Sequence, residues 1–200
     1  MPLNNESKIV FNELLFVFRN QNKFKKIQLI NYPGLSDDNK YLGENIKISF
    51  VNYENEFYKI SSEKKVSIVL DDDSIINLNY VFDNEGNIVE HHLCFLPNPL
   101  ESEVSIEEIE SKYIRIDYEH IGYTPKVHSY VHFHIGKYKN LRLPCSSIIS
   151  PIQFISFIFL FYYNTEYKEF SIFLKKENIR NALTSNESGT FIIDFLKKDD

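Results

Sequence analysis

Residues 75–95 hold two runs, IINLNYVF and IVEHHLCF, separated only by DNEGN. Both runs are rich in β-branched and aromatic side chains. The residues between them are turn formers, with a glycine able to take positive φ. Such a pattern commits the chain to an antiparallel hairpin, and so to a sheet with faces to cover. Further strand-like runs are KISFVNY (47–53), VSIVL (66–70), YIRIDYE (113–119), the stretch from Val127 to Ile135, and LRL (141–143) after the turn GKYKN.

Helical signals lie at the two ends. In SKIVFNELLFVFRN (7–20), apolar residues at 11, 14, 15 and 18 have the spacing of an amphipathic helix. Ser150 and Gln153 form a capping box, with Pro151 at the first helical position, where its missing N–H costs nothing. The helix they open is expected to run from 151 to about 163. Residues 166–184 also suit a helix, and TFIIDF (190–195) suits a strand or a helix. The fold class expected is α+β: a bent, largely antiparallel sheet flanked by an N-terminal helix and a C-terminal apolar helix. A single domain over 1–200 is expected, with an internal boundary, if any, near 97–103, where Pro97-Asn98-Pro99 breaks the pattern. The Glu-rich stretch that follows suits one short exposed helix.

Seventeen Phe and 13 Tyr supply ample core material. IISPIQFISFIFLFYY (148–163) is the longest apolar run. It is shorter than the roughly twenty residues of a membrane span and reads as a buried helix. Two cysteines, Cys94 and Cys145, do not make a disulfide framework, and the start lacks a signal-peptide pattern. A cytoplasmic protein is expected, with no membrane partner. The net charge of -6 argues against non-specific coating of nucleic acid. The charge is uneven, however. No Asp or Glu occurs between His120 and Thr165, where Lys126, Lys137, Lys139 and Arg142 lie among four histidines.

The chemistry concentrates in HSYVHFHIGKYKNLRLP (128–144). Strand alternation puts His128, Tyr130, His132 and His134 on one face and an apolar set on the other. A turn centred on Tyr138 pairs Phe133 with Leu143 and His134 with Arg142, and burial of the apolar face resists a slip. By the same parity, Arg115, Asp117 and Glu119 share a face, as do Glu90 and His92. If those strands are neighbours, one polar floor holds His92, Arg115, Asp117, His132, His134 and Arg142.

Three readings follow. In the first, His132 and His134 act as acid and base on a phosphoester of nucleic acid or a nucleotide. His128 assists, Arg142 grips the phosphate, and Lys137, Lys139, Tyr130 and Arg115 contact the substrate. This reading needs no cofactor. In the second, His-x-His with a third His or Asp117 holds a divalent ion, making a metal-dependent hydrolase. The carboxylate gap around the hairpin counts against hard ions. In the third, the acidic domain is a non-catalytic partner of a neighbouring effector protein. Cys145 as a nucleophile beside His134 lacks the surrounding turn such a residue needs. His91 and His92 point to opposite faces and cannot chelate together.

His128, His132, His134 and Gly136, then Arg142 and Pro144, then Ser150, Pro151, Phe154, Phe157, Ile158, Phe161 and Tyr162 form a pattern. It resembles a family of bacterial proteins of about this length known only as a domain of unknown function. The resemblance implies a bacterial accessory gene in a defence or mobile-element setting, and supplies no reaction or catalytic residues.

Overall fold

The structure, a computed structural model, describes residues 6–31, 40–63, 67–100, 105–119, 131–136, 143–145 and 148–177. Five helices are described: α1 (Glu6–Asn20), α2 (Tyr53–Ser62), α3 (Ile106–Ser111), α4 (Pro151–Tyr162) and α5 (Asn164–Lys176). The strands are β1 (Ile27–Ile30), β2 (Tyr41–Leu42), β3 (Ile68–Leu70), β4 (Ile75–Phe82), β5 (Ile88–Leu96), β6 (Ile114–Glu119), β7 (Val131–Ile135) and β8 (Leu143–Cys145). They form one antiparallel sheet in the order β1-β3-β4-β5-β6-β7-β8, with β2 paired to β4. The class is α+β, as the sequence pattern predicts.

The central hairpin forms where DNEGN predicts it. Asp83 closes the turn by accepting from the backbone N–H groups of Glu85 and Asn87, at 2.8 and 2.9 Å. Gly86 takes the positive φ. One sheet face carries Ile76, Leu78, Tyr80, Phe82, Leu93, Phe95, Ile114, Ile116, Tyr118, Val131 and Phe133, all in the main core. Helix α4 covers this face with Phe154, Ile155, Phe157, Ile158 and Phe159, joined by Val10, Leu14 and Val17 of α1 and Phe170 of α5. The capping box of α4 is present as expected, with Ser150 accepting from the Gln153 N–H and Gln153 accepting from the Ser150 N–H.

Two expectations need correction. KISFVNY is not a strand: a 3-10 turn at Phe50–Asn52 leads into α2. Helical spacing decides this, because Tyr53 and Phe57 lie one turn apart and pack together against Ile75, Cys94, Leu96, Ile109 and Tyr113. Glu54 and Glu56 in the first turn suit the positive end of the helix dipole. The inner line of α1 is Val10, Leu14 and Val17 rather than 11, 14, 15 and 18, and Glu13 is buried beside it. The helix is rolled so that Glu13 reaches the start of α4, where its Oε2 accepts from the Ile152 N–H at 2.9 Å.

Pro97-Asn98-Pro99 interrupts the strand but not the sheet, since β5 and β6 pair on either side of it. The segment is tied down by the Tyr53 hydroxyl donating to the Pro97 carbonyl and by Asn98 donating to the Asp72 carbonyl. TFIIDF lies outside the described residues.

Gly43, after β2, has φ +73°, and a Cβ there would sit 2.1 Å from the Leu78 carbonyl oxygen. Gly43→Ala is expected to cost about 3 kcal/mol, combining a left-handed conformation with displacement of β2 from β4. Thermal melting should show a Tm lower by roughly 10 °C. An unchanged Tm would mean that β2 moves without penalty.

Candidate metal centre

Strand register assembles the opposite face of the sheet into rows. Asn79, His92, Asp117 and His132 line up across β4, β5, β6 and β7. The next row is Asn77, Cys94, Arg115 and His134, and on the other side Glu90 stands opposite Glu119. Period-two alternation alone places these side chains on the face away from the main core. Part of that face is closed by α2 and α3 over Cys94 and Leu96. The remainder is polar.

Asp117 is the centre of the polar part, with 4% of its surface exposed. Its Oδ1 accepts from His92 Nδ1 at 2.9 Å, and its Oδ2 accepts from Arg115 Nε at 2.8 Å. His134 Nε2 lies 3.3 Å and His132 Nε2 3.6 Å from the same Oδ2. Burial by itself would raise the Asp117 carboxyl. Hydrogen bonds from His134 and His92, with the charge on Arg115, outweigh burial and hold it well below the ordinary carboxylate value. His92 moves the other way: burial opposes its charge, but bonding to Asp117 and Glu90 prevails and raises its pKa.

The donor atoms of Asp117, His132 and His134 all lie within 4.8 Å of one another, and all three residues are buried. Ligands about 2.0–2.1 Å from a tetrahedral ion stand roughly 3.3 Å apart. The separations of 3.3 and 3.6 Å from Asp117 Oδ2 match that spacing. His134 Nε2 also faces the Arg115 guanidinium at 3.4 Å. One ring nitrogen thus meets a donor and an acceptor at once, which no single tautomer satisfies. The residues therefore fit a divalent transition ion with two imidazoles and one carboxylate, a set that leaves a coordination position open.

The chain matches the family described as an uncharacterized conserved protein, DUF2290, over residues 15–195. The chain belongs to this family. No curated protein and no solved structure matches it. Family membership agrees with the domain-of-unknown-function resemblance drawn from the sequence and brings no assigned reaction with it.

Of the expected site residues, the structure brings together His132, His134 and Arg115, and joins them to Asp117 and His92. The expected pairing of Phe133 with Leu143 is present. His128, Tyr130, Lys137, Lys139 and Arg142 lie outside the described residues. Cys94 is buried on the same face, where burial pushes its thiol up to about 12, so it is no nucleophile at neutral pH. The carboxylate gap around 128–143 is a gap in sequence only, because β5 and β6 supply Glu90, Asp117 and Glu119 to the same face. Glu90 and Glu119 were absent from the expected floor. Their parity with His92 and Asp117 was the signal that would have included them.

Proposed function

We propose that the protein is a divalent-cation-dependent hydrolase of phosphoesters, acting on nucleic acid or a nucleotide, with Asp117, His132 and His134 as ligands. The observation carrying this reading is the convergence of three buried donor atoms at the spacing of a coordination shell. Free imidazoles acting as acid and base would have to present a ring nitrogen to substrate. Here both Nε2 atoms face one carboxylate oxygen, and the residues are only 7% and 6% exposed. That favours coordination over metal-free proton transfer.

When bound, the ion supplies Lewis acidity and activates water at neutral pH. The side chains do the rest. His92 and Arg115 clamp the two oxygens of Asp117 from opposite sides, which fixes the carboxylate plane and the direction of its ligating lone pair. About a third of the Arg115 side chain is exposed (32%). On this reading its guanidinium, which lies beside His134, would hold an anionic oxygen next to the ion, as phosphoester binding requires.

Elemental analysis of purified protein should find a tightly held transition ion. Hydrolysis of bis-p-nitrophenyl phosphate and of single-stranded RNA and DNA should stop on chelation and return with Mn2+ or Zn2+. Activity in fully metal-stripped protein would replace this reading with metal-free His chemistry. Activity in a His132→Ala, His134→Ala double variant would remove both.

A further inference from the structure

Helix α1 belongs to no strand ladder. Packing and a few hydrogen bonds join it to the rest of the chain. Val10, Leu14 and Val17 enter the main core. At its start, the Ser7 N–H donates to the Gly86 carbonyl at 2.9 Å, and Glu6 Oε2 accepts from the Ile88 N–H at 2.6 Å. At its middle, Glu13 Oε2 accepts from the Ile152 N–H in the first turn of α4. We propose that Glu13 is a proton-dependent latch: the protonated carboxyl keeps α1 docked on α4, and its ionisation promotes release of α1 as a unit while the sheet stays folded. The proposal is independent of the Asp117 centre, which lies on the other face of the sheet.

The setting of the carboxyl is the first argument. Glu13 is 6% exposed, and the start of α4 supplies only part of what an ionised carboxylate needs. Among the described residues, Oε1 has no hydrogen-bond partner, and neither has the buried Nε2 of Gln153 on α4. The N-terminal turn of α4 favours a negative charge here, but the charge loses its water. Burial is the stronger influence and lifts the carboxyl to about 7, against the Ile152 N–H and the Ser150 side chain. No cation acts on it among the described residues. From β4 it meets Tyr80, whose hydroxyl stays protonated and donates to the Ile149 carbonyl at 2.9 Å. From β5 the nearest titratable group is His91, neutral and one step removed, with Nε2 accepting from the Ile149 N–H at 3.3 Å. α4 adds Gln153, which is not titratable, and α5 meets α1 through Phe173 stacked on Phe16.

The second argument is what stays buried when α1 leaves. The rings around His91 are Tyr80 and Tyr118, and its hydrogen bond is to Ile149, so β4, β6 and the approach to α4 enclose it without α1. Local release therefore exposes Glu13 alone, whereas global unfolding exposes both groups. Their signs are opposite. Glu13 is raised in the folded chain, so its contribution is full below about 4.5 and is lost as pH rises toward about 7. His91 is lowered, so its contribution grows as pH rises from about 3 to 6.5. Global unfolding thus changes little across the interval they share, while release of α1 becomes steadily easier.

Hydrogen exchange of the full-length chain separates the two events, read peptide by peptide at about pH 5 and about pH 6.5 and corrected for intrinsic rates. Protection of α1 amides should fall on the order of twentyfold with rising pH, while that of β4 and β5 amides stays within about threefold. Glu13→Gln keeps an acceptor for the Ile152 N–H and cannot ionise. In that variant α1 protection should not depend on pH, and β4 and β5 protection should rise on the order of fifteenfold. Wild-type α1 amides that merely follow β4 and β5 overturn the proposal, because α1 then opens only with the whole chain. A fall in α1 protection that persists undiminished in Glu13→Gln overturns it too, since another group then titrates. If the variant does not fold, the wild-type comparison of α1 with β4 and β5 decides.

Discussion

Asp117→Asn is expected to lower stability by about 3 kcal/mol and, under the proposed function, to abolish ion binding at the Asp117 centre. The substitution preserves shape but not hydrogen-bond polarity. Asp117 accepts at both oxygens, from His92 Nδ1 and from Arg115 Nε. An asparagine offers one acceptor and one donor, so one of these contacts becomes donor against donor. The Arg115 charge is then left without its counter-ion on a largely covered face. For a chain of 200 residues the Tm should fall by roughly 10 °C. The acid limb should change as well. A carboxyl held below its ordinary value of 3.8 contributes stability above that pH, and the contribution is lost as pH falls through the lowered folded value. The variant lacks this contribution, so its acid limb should be shallower. Melting together with elemental analysis checks the prediction. An Asp117→Asn protein with wild-type Tm and wild-type metal content would show that the carboxylate organises nothing.

A plateau of stability between about pH 4.5 and 6.5 is the second large effect expected, because two buried groups titrate there with opposite signs. His91 is wholly buried among Tyr80, Tyr118 and the Ile149 N–H, and burial pushes it from 6.5 to about 3. The unfolded chain takes up its proton first, so stability rises with pH across that interval, by on the order of 5 kcal/mol. Glu13 is pushed by burial from 4.5 to about 7, against hydrogen bonds from Ile152 and Ser150. Here the folded chain holds the proton longer, so stability falls between those values, by roughly 3 kcal/mol. Glu13→Gln keeps an acceptor for the Ile152 N–H and removes the titration. Its stability, relative to wild type, should therefore climb by about 1.4 kcal/mol per pH unit between pH 4.5 and 7. Urea unfolding at steps from pH 4 to 8 measures the difference. Curves that run parallel would show that Glu13 does not change protonation in that range.

Several elements were legible before any coordinates. The 75–96 hairpin, the start of α4 and the opposed faces of β7 follow from local rules of alternation, turn chemistry and capping, which act over a few residues. The parity of β6 and β5 was legible for the same reason: Arg115, Asp117 and Glu119 on one side, Glu90 and His92 likewise, with His91 turned inward. KISFVNY misled because its aromatic, β-branched composition suits a strand, whereas Tyr53 and Phe57 find their partners on β4, β5, α3 and the start of β6. The line 11, 14, 15 and 18 misplaced the inner side of α1 because a buried charge, Glu13, lies beside the true one. Only the distant N-terminus of α4 explains its burial.

The sequence by itself determined which side chains share a face within each strand, since that depends on a two-residue repeat and on nothing farther away. Tertiary structure alone decided which strands lie side by side, because pairing order depends on how α1, α4 and α5 bury the apolar face. That order turns three separate polar edges, from β5, β6 and β7, into one cluster around Asp117.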